Sequence, residues 1–241
     1  MKIIKHKKGE LTTQQIVMLI ILVTSFAIIL LFLFRLNLGE VSNKEICHNS
    51  VVLKGKASIS GNLDCNTNYL CISGGGDCKG INPTITKEIN LNDDVDDKDE
   101  IMKAIADEMV DCWWMFGEGK IDYAGISVVD VSCAICSIVR FDKNIQEEIT
   151  YEDLSRFLKK NKKDKTQTYF DYLFENEIPK VMETSDPILY EEQYTIITGR
   201  RDAIKAGIDI RDPIIVPVHF IKTSDLTEEI TTCTVFDLTK A

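Results

Sequence analysis

Residues 97–116 read DKDEIMKAIADEMVDCWWMF, and this stretch predicts the central helix of the protein. Its apolar side chains recur three or four residues apart, at Ile101, Ile105, Met109, Cys112 and Phe116. Met102, Ala106 and Trp113 widen this apolar face, and the opposite, polar face is made by five charged residues: Glu100, Lys103, Asp107, Glu108 and Asp111. Gly117 follows and is well placed to end the helix. We therefore expect this helix to pack its apolar face against a sheet.

The acidic run just before this helix, residues 92–100 (NDDVDDKDE), has two interpretations. A calcium loop needs alternating oxygen ligands and usually a glycine in mid-loop, which is missing here. Carboxylates at a helix N-terminus cap free amides and suit the helix dipole. We therefore interpret the run as the start of the helix.

Segments on both sides of the helix predict strands and shorter helices. Segments 84–91, 126–131, 137–141, 194–198, 214–221 and 232–238 are rich in β-branched residues and read as strands. Pro217 places one of them at a sheet edge or a bulge. Residues 150–160 predict a helix capped by Thr150 and Asp153, and residues 169–174 predict a shorter one. Residues 40–82 suggest an irregular or short-stranded region. The fold class predicted is α+β.

Two tryptophans stand side by side near the end of the predicted helix. Adjacent helix positions diverge by about 100°, so Trp113 and Trp114 cannot both lie centrally on one narrow stripe. We expect one ring to pack in the core and the other to cover it partly.

Eight cysteines all lie after the long apolar run at residues 16–34: Cys47, Cys65, Cys71, Cys78, Cys112, Cys133, Cys136 and Cys233. An even number of cysteines in an exported domain predicts disulfides. The first four could form two local bridges that stabilise a stretch rich in glycine and asparagine. The alternative is a zinc cluster, but no C-x-x-C spacing occurs among these four residues, so we predict no metal.

Cys133 and Cys136 form the only C-x-x-C of the chain. A thioredoxin-like pair belongs at a helix N-terminus, whereas the flanking residues here read as strands. Residues three apart along a strand point to opposite faces, about 10 Å apart, which is too far for a disulfide. Either a turn interrupts the strand or each cysteine pairs elsewhere. Because Cys112 lies on the apolar stripe, we predict that it bonds Cys133 or Cys136.

Residues 16–34 read IVMLIILVTSFAIILLFLF, which is 19 residues without a charge. At about 1.5 Å per residue this run predicts a transmembrane helix in contact with the lipid bilayer. Four lysines precede it, and Arg35 alone follows closely, so the positive-inside rule puts the N-terminus in the cytoplasm. The predicted organisation is a basic tail or leader at 1–15, the transmembrane helix at 16–34, a juxtamembrane region rich in cysteine and glycine at 35–82, and an exported α+β domain at 83–241.

The charge of the chain is unevenly distributed. The whole chain has a net charge of −10. Residues 1–39 carry +4, so the net charge of residues 40–241 is −14. An acidic domain of this kind repels nucleic acid, so we expect no nucleic-acid partner. No phosphate-binding, dinucleotide-binding, metalloprotease or nucleophile-elbow motif occurs, so we predict no cofactor and leave the catalytic residues unassigned.

The segment KKGELTTQQ, residues 7–15, resembles the class III signal peptide of archaeal type IV pilin-like proteins. The resemblance implies cleavage between Gly9 and Glu10. Gln14 departs from the family, because the acidic residue commonest at the fifth mature position is missing. The Cys-Trp and Cys-x-x-Cys stretches resemble those of archaeal membrane-anchored proteins, a resemblance that implies no function.

The sequence thus favours an extracytoplasmic structural or binding component of the cell envelope rather than an enzyme. The first alternative is a type IV pilin-like filament subunit with envelope or filament partners. Against it, Asn37, Gly39 and Ser42 predict that the N-terminal helix ends soon after residue 34. The second alternative is a thiol oxidoreductase that uses Cys133 and Cys136.

Overall fold

The structure is a computed structural model that describes ten parts of the chain. These are residues 13–35, 38–57, 63–90, 94–121, 123, 131–145, 148–174, 184–201, 214–226 and 234–236. The chain divides into two compact units, residues 1–42 and residues 43–241.

The first unit contains helix α1 (Thr13–Arg35) and the beginning of helix α2 (Leu38–Ala57). The side chains of residues 14–29 are all exposed. Thr24 and Ser25 donate their hydroxyl hydrogens to backbone carbonyls of α1, as expected for polar residues within an apolar helix.

The prediction of a transmembrane helix over residues 16–34 is contradicted. In the part of the chain that the structure describes, no helix is both long enough and apolar enough to cross a membrane.

The expectation that the N-terminal helix ends soon after residue 34 agrees with α1, which ends at Arg35. A second helix, α2, runs from Leu38 to Ala57, and Gly39 and Ser42 lie inside it, while Asn37 lies outside the described residues. In its second half, α2 buries Cys47 and Val51 in the core of the second unit. Tertiary packing therefore outweighs the low helix propensity of glycine and serine.

The second unit is built on a six-stranded mixed sheet. Its strands are β1 (Asn68–Ser73), β2 (Ile85–Glu88), β3 (Val131–Phe141), β6 (Tyr194–Arg201), β7 (Ile214–Lys222) and β8 (Thr234–Phe236). The order is β2-β1-β3-β6-β7, and β8 pairs with the first half of β3. The pairs β1–β2, β1–β3 and β3–β8 are parallel, whereas β3–β6 and β6–β7 are antiparallel.

Helix α3 (Asp94–Met115) packs against one face of this sheet, as the stretch at residues 97–116 predicts. Ile101, Ile105, Met109 and Cys112 are fully buried in the main core, together with Val139 of β3. The helix begins three residues earlier than expected. Gly117 follows it with a φ of +80°, a conformation that glycine adopts without strain.

The remaining elements cover the same core. They are β4 (Ile149–Thr150), α4 (Tyr151–Lys160), α5 (Tyr169–Phe174) and β5 (Pro187–Ile188), with β4 and β5 paired as a small second sheet. Thr150 and Asp153 form the predicted capping box at the start of α4. Trp113 is buried while Trp114 is half-buried, which confirms the expected division of roles.

A bulge in β3 places two consecutive residues toward α3. The register with β6 shifts between Ile135 and Ser137, so Cys136 is the extra residue. Cys136 forms a disulfide with Cys112, and Ser137 donates a hydrogen bond to the Glu108 carboxylate of α3. The predicted bond from Cys112 to this segment is therefore confirmed, with Cys136 as the partner.

Removing the Cys112–Cys136 disulfide with the double substitution Cys112→Ser and Cys136→Ser should lower the melting temperature by roughly 6–12 °C. The bridge spans 24 residues and should contribute about 3 kcal/mol by the loop-entropy relation, with each kcal/mol shifting Tm by about 2–4 °C in a chain of this size. The matched control is Cys71→Ser with Cys78→Ser, which opens a loop of only seven residues and should cost about 2 kcal/mol. Calorimetry on oxidised protein measures both. An equal or larger loss in the control would contradict the expectation.

A second prediction concerns His219 of β7, which stands opposite Ile197 of β6 in the register. Burial lowers the pKa of His219 from 6.5 to about 4. Between these values the unfolded chain binds a proton that the folded chain does not, so stability falls as pH drops from about 6.5 toward 4. The full loss is at most about 3 kcal/mol.

Urea unfolding of the wild type and of His219→Gln, measured from pH 7 to pH 4.5, tests this. Other groups titrate equally in both proteins, so the wild type should lose more stability than the variant over this interval. Parallel curves would show that His219 does not titrate in this way.

Candidate binding cleft

The glycine-rich loop after β1 is closed by a short disulfide. Cys71, near the end of β1, bonds Cys78, and the two Cα atoms lie 5.7 Å apart. Between them the chain runs through three consecutive glycines, of which Gly75 has a φ of +96°. This bridge and Cys47–Cys65, with Cα atoms 4.4 Å apart, are the two local bridges that the sequence predicts for this region.

The loop folds around the carboxylate of Asp142, which directly follows β3 and is only 1% exposed. Oδ2 accepts hydrogen bonds from the amides of Gly74 (3.0 Å) and Gly76 (2.6 Å) and from the Ser73 hydroxyl (3.1 Å). Oδ1 accepts two more from the amides of residues 144 (2.8 Å) and 145 (3.2 Å). Five donors therefore converge on one carboxylate.

These contacts decide the charge of Asp142. Burial by itself would raise its pKa, but the hydrogen bonds from Asn144, Gly76, Gly74 and Ser73 outweigh burial and hold the pKa below its usual value. The side chain therefore stays ionised and holds the ends of β1 and β3 together. A Cβ on Gly76 would lie 2.8 Å from Oδ2, so the loop also needs glycine at this position.

A surface cleft of about 600 Å³ opens beside this loop. Its floor is the end of β3 with residues 140–145, and its walls are the loop around residues 77–79 and the segment 189–192. Arg140 is held by hydrogen bonds from Nη1 to the Glu191 carbonyl (3.0 Å) and from Nε to the Gln193 side chain (3.3 Å). Tyr190 packs edge-on against Phe141, with ring centroids 5.1 Å apart.

The cleft carries charges of both signs. Lys79, Arg140 and Lys143 supply three cations in a domain that is strongly acidic. The anions are Asp77, Asp142, Glu191 and Glu192, of which Glu192 pairs with Lys222 at 2.9 Å. Asp142 has its lone pairs committed to five donors and is not placed to act as a general base. The arrangement is suited to binding a polar ligand.

In the described part of the chain, the cysteine sulfurs are all bonded in disulfides, so none is a free thiol. Cys136 is bonded to Cys112, and Cys133 is disulfide-bonded and buried with Ile197 and Ile221 on the opposite face of the sheet. The C-x-x-C residues therefore do not bond each other, and the oxidoreductase interpretation lacks its dithiol pair. Cys47, Cys65, Cys71 and Cys78 are likewise consumed by disulfides, which removes the thiolates of the zinc interpretation.

Three residues singled out from the sequence lie outside the described residues: Gly9, Glu10 and Cys233. Comparison of the chain with protein-family models, with curated proteins and with solved structures finds no match.

Sequence reasoning did not identify Asp142 or Arg140 as members of a site. The three glycines were the available signal, because consecutive small residues allow backbone amides to converge on an anion. Their partner lies more than sixty residues away in the sequence, and only the parallel pairing of β1 with β3 brings it to the loop.

Replacing Asp142 with asparagine should destabilise the domain by roughly 2–4 kcal/mol, because an amide NH₂ would face amide donors that remain buried. Asp77→Asn, on the same loop but exposed, is the matched control and should change stability by less than about 0.5 kcal/mol. Because the folded pKa of Asp142 is lowered, its contribution is present above the unfolded value of about 3.9 and is lost as pH falls through the folded value.

Urea unfolding at pH 7 and at pH 3 measures these effects. The difference between the wild type and Asp142→Asn should be larger at pH 7. A variant as stable as the wild type at pH 7 would show that the carboxylate does not hold the loop.

Proposed function

We propose that this protein is a structural subunit that works outside the cytoplasm and that its copies associate through α1. The disulfides support the location, because such bonds form and persist in oxidising compartments. They also support a structural role, since each one ties a local segment to the sheet or to its neighbouring helix.

The observation that carries the proposal is the exposure of apolar side chains on all sides of the described part of α1, residues 14–29. Residues 16–23 are eight consecutive apolar residues, which make more than two helical turns, and their exposed fractions range from 45% to 68%. Phe26, Ile28 and Ile29 continue the surface at 54–59%. A helix that is apolar on all sides is stable only when other apolar groups surround it.

Another copy of α1 is the occupant that matches this surface best. It has the same length and the same side chains, and it is present wherever the protein is. Thr24 and Ser25 already satisfy their hydroxyl donors within the helix, so close packing leaves no unpaired donor from them. Because the surface extends around the helix, one partner would cover only part of it, and several copies are needed.

The resemblance of residues 7–15 to pilin-like leaders supports an assembly of this kind. The argument from sequence for a solitary domain was an early end to the N-terminal helix. Helix α1 does end at Arg35, and a separate helix, α2, runs from Leu38 to Ala57. The exposed apolar side chains of α1 and the resemblance of residues 7–15 together make a pilin-like filament subunit the form of the proposal that we favour.

The experiment compares full-length wild type with Leu22→Glu, which places a carboxylate in the middle of the apolar surface. Sedimentation velocity and negative-stain electron microscopy should show large assemblies of the wild type and monomers of the variant. The matched control is Asn66→Glu, which adds the same charge at an exposed position of the second unit and should assemble as the wild type does.

Two results would count against the proposal. One is a wild-type chain that stays monomeric at high concentration. The other is a Leu22→Glu variant that assembles as well as the wild type. Capture of monomers by phosphatidylcholine vesicles, without self-association, would show that lipid rather than another copy covers α1.

A further inference from the structure

Helices α2 and α3 meet at a polar cluster made of one lysine and two carboxylates. Lys44 Nζ lies 2.5 Å from Oδ2 of Asp111 and 3.3 Å from Oε2 of Glu108. Glu108 and Asp111 are three residues apart on α3, so they project from the same side of the helix. The lysine therefore lies between the two carboxylates, separated from Asp111 by 67 residues of sequence.

Glu108 is fixed and almost completely removed from solvent. Its side chain is 4% exposed, and Oε1 accepts hydrogen bonds from the Ser137 hydroxyl and from Asn68 Nδ2 at 3.1 Å. Oε2 is left to face Lys44. A buried carboxylate held in this way beside an amine and a second carboxyl group is placed to accept and return a proton.

We propose that Lys44 and Asp111 form an intramolecular amide bond, with Glu108 as the group that transfers the proton. The neutral Lys44 Nζ attacks Cγ of the protonated Asp111 carboxyl group, and a C–N bond forms. Glu108 takes a proton from the nitrogen and returns it to the departing hydroxyl. The C–O bond breaks, one water molecule leaves, and no oxidant or other reactant is needed.

The step needs Asp111 as the acid and Lys44 as the neutral amine, and the surroundings favour the first of these forms. Burial raises the pKa of Asp111 against the opposing effect of Lys44, which favours the reactive acid form. Burial would lower the pKa of Lys44, but the two carboxylates raise it overall, so the ammonium form predominates and the amine arises only by proton transfer to a neighbouring carboxylate. Transfer of one proton along the Lys44–Asp111 hydrogen bond converts the ion pair into amine and acid without a proton from solvent.

Proximity supplies the rate. Groups held in near-attack geometry react as though they were present at effective concentrations of roughly 10⁵–10⁸ M, far above any concentration that a free reactant reaches in solution. The Lys44 side chain is 21% exposed and that of Asp111 is 40% exposed, so the site opens to solvent on the Asp111 side. The released water can leave there while Glu108 stays enclosed.

The amide would join α2 to α3 beside two disulfides, Cys47–Cys65 on α2 and Cys112–Cys136 on α3. Unlike them it would persist under reducing conditions. The proposal concerns the second unit alone and does not depend on how copies of the chain associate.

Mass spectrometry of the full-length protein after reduction and alkylation tests the proposal. The wild type should be lighter by one water molecule than the mass calculated for its fully alkylated sequence. Tryptic digestion should yield the Lys44 peptide joined to the Asp111 peptide, without cleavage after Lys44. Lys44→Arg keeps the ion pair but has no nucleophilic amine, so it should show its full sequence mass. Asp111→Asn should still cross-link, with loss of ammonia in place of water.

The Lys44→Arg variant also distinguishes the cross-link from a succinimide at Asp111, because succinimide formation would release water whether or not Lys44 is present. Glu108→Gln keeps the shape of the buried side chain and should slow cross-linking at least tenfold; an unchanged rate would overturn the role given to Glu108. A wild-type protein that shows its full mass and no joined peptide would overturn the proposal and leave Lys44 and Asp111 as an ion pair.

Discussion

The packing of the apolar face of α3 on the sheet is the interaction on which the second unit depends. Ile101, Ile105 and Met109 are fully buried there, and the disulfide to Cys136 fixes the end of the helix to β3. The other helices take their places from it, since α5 contacts α3 on one side and α2 reaches its acidic side through Lys44. Burial of these large apolar side chains supplies most of the stabilisation, and the disulfides reduce the entropy of the unfolded chain.

Much of this arrangement could be predicted from local patterns. The 3.6-residue period of α3, the capping box of α4 and the β-branched runs of β6 and β7 are all local signals, and each element forms where these signals place it. The bond from Cys112 to β3 was predictable for a related reason, because the helical period shows that the cysteine lies on the apolar face of α3. Pro217 falls where the register between β6 and β7 shifts, as its missing amide hydrogen requires.

Features that depend on distant contacts were not predictable. Helix α1 ends at Arg35 as expected, but the second helix, α2, was not expected, because it contains Gly39 and Ser42 and is stabilised by the burial of Cys47 and Val51 in the core of the second unit. The hydrogen bonds between Asp142 and the glycine loop depend on the parallel pairing of β1 with β3, which lie more than sixty residues apart in the sequence. The membrane-spanning interpretation of residues 16–34 rested on apolar composition alone, and the described part of α1 does not bear it out.

The bulge at Cys136 has a consequence for how this protein can change in evolution. Two consecutive residues of β3 contact α3: Cys136 is bonded covalently to Cys112, and Ser137 donates a hydrogen bond to Glu108. A few residues later, Asp142 accepts hydrogen bonds from the glycine loop. Side chains alternate between the two faces of a strand, so the loss or gain of one residue between Ser137 and Asp142 would turn one of these side chains away from its partner. The length of this strand is therefore fixed at both ends, and variation in chain length must be confined to the loops.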